Sequence, residues 1–102
     1  MKHPLCALVD VPENGARKVE FFGREALVYR QGGEVKAALS VCTHLGGPLE
    51  LKDGELVCPW HGARFDAGNG TCRRGPADAA SRAMFLPTRV EDGVLTYVWG
   101  ER

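Results

Sequence analysis

Apolar positions fall in short runs along the chain, and turn-forming residues interrupt each run before a helical period is established. Residues 5–9 are an apolar run closed by Asp10-Val11-Pro12-Glu13-Asn14-Gly15. Residues 18–22 bring in Val19, Phe21 and Phe22, and Gly23-Arg24 turns the chain. Residues 25–30 carry Ala26, Leu27, Val28 and Tyr29, and Gln31-Gly32-Gly33 is a hairpin signal before residues 34–41. The pattern predicts four strands of an antiparallel meander over residues 5–41, and nothing in that stretch demands more than a scaffold role.

Regular periodicity fades over residues 42–76, where Gly, Pro, Cys and His concentrate. A brief strand is predicted at 55–57, after Asp53-Gly54, and another at 64–66, turned at 67–70. Residues 77–85 favour a helical turn, too short to be stable alone. Residues 89–91 and 94–99 flank Asp92-Gly93, one of the strongest local hairpin signals. No repeat, linker or low-complexity tract divides the chain, so one domain is expected over residues 1–102.

Composition narrows the function. Thirteen Gly and six Pro in 102 residues leave little room for a long helix and suit short strands. Thirteen Lys and Arg balance thirteen Asp and Glu, so no basic field is available to hold a phosphate backbone. No run of about 18 apolar residues spans a membrane, and the first ten residues lack the apolar stretch of a signal peptide. A cytoplasmic protein, or the soluble part of a larger complex, is expected. There is no nucleophile–base pair, paired-carboxylate motif or phosphate loop, and a chain this short has no room for a substrate pocket beside a full metal site.

Without a signal sequence, the four cysteines point to metal binding or free thiols before disulfides. Two loops each supply a thiol and an imidazole: Cys42 with His44, and Cys58 with His61, with thirteen residues between His44 and Cys58. Close spacing lets one tight loop aim both side chains at a shared centre. Thiolate selects soft metals, and imidazole suits iron, copper or zinc. Two chemistries fit the ligand count: a structural tetrahedral zinc site, or a [2Fe-2S] cluster with two Cys on one iron and two His on the other.

The residues around those ligands discriminate. Cys42-Thr43-His44-Leu45-Gly46, followed by Cys58-Pro59-Trp60-His61-Gly62-Ala63-Arg64-Phe65-Asp66, resembles the Rieske iron–sulfur family, and Gly75-Pro76-Ala77 is similar to that family's loop over the cluster. The resemblance covers most of the chain. It implies an all-β Rieske-type antiparallel sandwich or barrel with a small inserted cluster-binding subdomain, residues about 42–63 here, and a covering loop at 75–77. It also implies one [2Fe-2S] cluster per chain, with Cys42 and Cys58 on the buried iron and His44 and His61 on the outer one. The link between the ligand pairs is shorter than the family's, and residues 78–85 are longer. Both differences alter the surface around the cluster and leave the ligands in place.

The resemblance further implies a subtype. Cytochrome-complex members carry an extra Cys in each loop, at positions matching Gly47 and Trp60, so their inter-loop disulfide cannot form here. Their hydroxyl donors to sulfur match Ala63 and Phe65, which have none, and fewer donors imply a lower potential. The sequence therefore looks like a soluble Rieske-type ferredoxin. The expected function is a one-electron carrier between an NAD(P)H-dependent flavin reductase and a terminal oxygenase. The alternatives are the small Rieske subunit of a nitrite reductase or other multi-subunit oxidoreductase, and a structural zinc module.

Gly46, Gly47 and Gly62 would let backbone N–H groups approach the cluster sulfurs. Leu45, Gly46, Pro48, Trp60 and Pro76 would form a flat contact patch for partners. Of the remaining residues, Cys72 and Cys6 read as packed free thiols, His3 as exposed near a mobile terminus, and Asp66 as a turn cap. Arg64, Arg73, Arg74 and Arg82 read as a solvated face or a basic rim near the cluster.

Overall fold

Ten short strands in three antiparallel sheets build the computed structural model, which describes residues 2–40, 48–59, 62–74 and 83–99. The central sheet has the order β2 (Ala16–Phe21), β3 (Arg24–Gln31), β4 (Glu34–Leu39). An outer sheet joins the two ends of the chain in the order β1 (Lys2–Ala7), β10 (Val94–Val98), β9 (Thr88–Glu91). The third sheet runs β5 (Glu50–Lys52), β6 (Glu55–Val57), β7 (Arg64–Asp66), β8 (Cys72–Arg74). The all-β antiparallel class expected from the sequence is the class observed.

Strand β3 explains why the sheets are layered as they are. Successive side chains of a strand point to opposite faces. Leu27 and Tyr29 enter the core shared with the third sheet, beside Leu49, Leu56 and Phe65. Val28 turns the other way, toward Leu95 of the outer sheet, and Ala26 packs with Phe21 and Leu39. The central sheet is thus covered on both faces, which is why β3 reads as an unbroken apolar run. The Tyr29 hydroxyl donates to the Ala67 carbonyl at 2.7 Å and bolts the central sheet to the third.

Turn chemistry sets the registers. Phe22-Gly23, Gly32-Gly33, Asp53-Gly54 and Asp92-Gly93 all have positive φ at both residues, the requirement of a two-residue type I′ hairpin. The first lies one residue before the expected Gly23-Arg24.

Three expectations are corrected. The meander has three strands: β1 leaves it and pairs with β10, from Lys2 opposite Val98 to Ala7 opposite Val94. The register shifts between Pro4 and Cys6, where proline has no N–H to give to the ladder. Residues 8 and 9, expected as strand, instead join Asp10 in a 3-10 turn held by Arg30, whose guanidinium donates to the Leu8 and Val11 carbonyls. Within 77–85, residues 83–85 are extended, with Phe85 bridging Ala38 and the Met84 carbonyl accepting from Leu39 N–H, so pairing with β4 overrides helical propensity. The rest of that expected helical turn lies outside the described residues.

Candidate metal centre

The β6–β7 hairpin presents Cys58. Val57 and Arg64 are its last ladder pair. Beyond them, Cys58 N–H donates to the Ala63 carbonyl and Gly62 N–H donates back to the Cys58 carbonyl, both at 2.9 Å. That closure needs Gly62 at φ +77°, a conformation other residues adopt only with strain. The Cys58 side chain is fully buried as a free thiol against Leu49, Ala63 and Phe65. Pro59 and Gly62 beside it are exposed. The hairpin therefore turns the Cys58 sulfur inward and Pro59 and Gly62 outward.

Segment 41–47 springs from the end of β4. Ser40 N–H extends the ladder by donating to the Glu25 carbonyl at 2.8 Å. Its hydroxyl accepts from Leu49 N–H at 3.2 Å and donates to the Leu49 carbonyl at 3.3 Å. Sequence reasoning missed this contact, because nothing in local pattern pairs a serine with a leucine nine residues on.

Of the expected ligands, Cys58 is placed as described. Cys42, His44 and His61 lie outside the described residues, as do Leu45, Gly46, Gly47, Trp60 and residues 75–77. Among the described residues, no three His, Cys, Asp or Glu stand together as a metal-binding group. The donor chemistry present, a fully buried thiol on a glycine-turned hairpin, fits an iron–sulfur centre.

The remaining candidates separate clearly. Asp66 caps the β7–β8 turn, its Oδ1 accepting from Gly68 N–H at 2.7 Å and Asn69 N–H at 2.9 Å. These bonds, with the Arg73 guanidinium beside them, hold its carboxyl below the usual carboxylate range. Arg64 and Arg73 are paired with Glu55 and Asp66, so they form part of a charge-balanced face. Cys72 is half-buried against the core that holds Cys58. Cys6, in β1 of the outer sheet, packs against the core of Val11, Val28, Ala37 and Leu95, and burial pushes its thiol pKa up. His3 corrects its expectation: it lies half-buried in β1, its ring 4.7 Å from that of Phe22.

Comparison with known proteins bears on the whole. Residues 1–92 match the Rieske [2Fe-2S] domain family. The chain is 39% identical over 80 residues to the oxygenase component of dicamba O-demethylase from Stenotrophomonas maltophilia, covering 71% of this chain and 23% of that protein. The structure superposes on the Sphingomonas yanoikuyae B1 ferredoxin with a TM-score of 0.78 at 25% identity, covering 95% of this chain and 97% of that one. It also superposes, at a TM-score of 0.76 and 24% identity, on a chain from the complex of reduced oxygenase and oxidized ferredoxin in carbazole 1,9a-dioxygenase, covering 94% and 91%. No helix among the described residues is long and apolar enough to cross a membrane. The zinc alternative is set aside by the family match. With its β-layered fold, its buried hairpin thiol and a match over 92 of 102 residues, the chain belongs to the Rieske [2Fe-2S] family, as an electron carrier with one [2Fe-2S] cluster.

Proposed function

We propose that Cys42 and Cys58 bind the inner iron of the cluster and His44 and His61 the outer one, on two loops of a subdomain at about 42–63 covered by residues 75–77. The observation carrying this is the polarity of the β6–β7 hairpin: the Cys58 thiol is fully buried while Pro59 and Gly62 face solvent. Such a hairpin suits a thiolate on the inner iron and, three residues on, an imidazole nearer the surface. Purified aerobically, the protein is expected to be coloured, with about two irons and two sulfides per chain. Its reduced form should give the rhombic, low-average-g EPR signal of mixed His/Cys ligation. Replacing His44 or His61 with Cys or Ser should abolish or transform that signal; an unaltered signal in both variants refutes the assignment.

The cluster supplies one-electron transfer. The chain's own residues bury the Cys58 thiol and leave Pro59 and Gly62 facing solvent. We infer that the donor is an NAD(P)H-dependent flavin reductase, the acceptor a terminal oxygenase and the compartment the cytoplasm. Superposition on the Sphingomonas yanoikuyae B1 ferredoxin supports the electron-carrier part of this reading. A reconstituted mixture should show oxygenase turnover only when this protein is present. Tight copurification with a large catalytic partner would overturn the free-carrier reading.

A further inference from the structure

Ser40 and Leu49 stand at the two ends of residues 41–48, the segment containing Cys42 and His44. Each end is anchored separately. Ser40 is tied by its N–H to the central sheet, and Leu49, only 1% exposed, sits in the core that also holds Cys58. A single hydroxyl joins them, accepting from Leu49 N–H and donating to the Leu49 carbonyl. In an antiparallel ladder that exchange needs a second backbone N–H and C=O. The N–H of Ser40 is already given to Glu25, and its hydroxyl, donor and acceptor at once, takes over the pairing.

We propose that Ser40 is a positioning residue: it closes the neck of the first ligand segment and so retains the cluster. The proposal rests on the reading of Cys42 and His44 as ligands. Closing the neck meets the loop-closure cost of the intervening residues before any ligand is placed. It also fixes the first loop to the core carrying Cys58, so the two thiolates keep their separation. Alanine has no group for either bond and leaves two backbone groups of a buried residue unsatisfied. Threonine keeps the hydroxyl.

The test uses the cluster-loaded protein with Ser40→Ala, Ser40→Thr and a control, Thr96→Val. Thr96 is buried in β10, and its hydroxyl donates to the Val94 carbonyl at 3.2 Å, in the outer sheet. Iron release to a chelator is followed by visible absorbance, and EPR line width reports the spread of ligand geometries. Ser40→Ala should release iron about tenfold faster, as loss of a part-buried hydrogen-bonded pair implies, with broadened g-features. Ser40→Thr should restore both. Thr96→Val should lower global stability and leave both readouts near wild type. The proposal is overturned if Ser40→Ala matches wild type in both, or if Thr96→Val accelerates release equally. If Ser40→Ala accumulates without cluster, Ser40→Thr decides: wild-type loading supports the proposal, and failure to load overturns it. Cys42→Ser separates the two levels. If it loses the native spectrum while Ser40→Ala is unchanged, only the neck closure falls. If it keeps that spectrum, the ligand reading falls and takes this proposal with it.

Discussion

Ala63 and Phe65 share a fully buried core with Cys58, and neither carries a hydroxyl. Reduction adds negative charge to the cluster, and hydroxyl donors to its sulfurs favour the reduced state. Rieske centres span roughly −150 to +300 mV, and this one is expected near the low end. Ala63→Ser and Phe65→Tyr should each raise the potential in protein-film voltammetry; a strongly positive wild-type value would contradict the argument. A hydroxyl stranded at either position costs about 1–3 kcal/mol, so a raised potential with retained stability indicates that it found a sulfur. The site was legible in sequence where chemistry is local. Cys58 and Gly62 could be read from one short motif, and Asp66 from its turn. Ser40 and Tyr29 could not, because their partners Leu49 and Ala67 are brought to them only by folding.

The β7–β8 turn is the element where charge matters most. Asp66 receives two backbone N–H bonds there, and Tyr29 donates to Ala67 in the same turn. The Asp66 carboxyl is held below its ordinary value, first by Asn69 and Gly68 N–H and then by Arg73. Its contribution is therefore full above the unfolded value, about 3.9, and is lost as pH falls through the folded one. Amide protection factors at Gly68 and Asn69 should drop over that acidic window in wild type and show a flatter profile in Asp66→Asn. Equal profiles would remove the carboxylate from the account. Tyr29 works in the opposite direction. Burial, with Asp66 second, raises its phenol above the ordinary range. The unfolded chain ionises first, near pH 10, so stability falls as pH rises beyond that point. Tyr29→Phe should flatten this alkaline slope and cost about 1–3 kcal/mol at neutral pH in urea titrations, because the Ala67 carbonyl loses its donor. Most hairpins were legible through their Gly-containing turns. β5 and β8, the two edge strands of the third sheet, were missed. β1 was placed in the wrong sheet because its partner β10 lies at the far end of the chain.

At the scale of the whole molecule, two properties bear on partner choice. The formal charge is zero, with thirteen basic and thirteen acidic side chains, and Arg64 and Arg73 on the third sheet are already paired. Long-range steering is therefore weak, and the rate of electron transfer to an acceptor should change little with ionic strength. Recognition must come from short-range contact. Pro48, Pro59 and Gly62 are exposed next in sequence to the proposed ligand segments, and with Leu45, Gly46, Trp60 and Pro76 they would form a small apolar patch. Transient electron-transfer encounters bury less than roughly 1,200 Å² in total. An interface of that size releases quickly, as a shuttling carrier requires. Leu45→Glu should then slow transfer to the oxygenase several-fold while leaving cluster spectrum and potential nearly unchanged, since the substitution alters the contact and no ligand. Stopped-flow measurement at low and physiological salt separates the possibilities. A slowed variant with a flat salt profile supports apolar docking, whereas an unaffected variant with steep salt dependence would move the docking face to a charged surface elsewhere on the molecule.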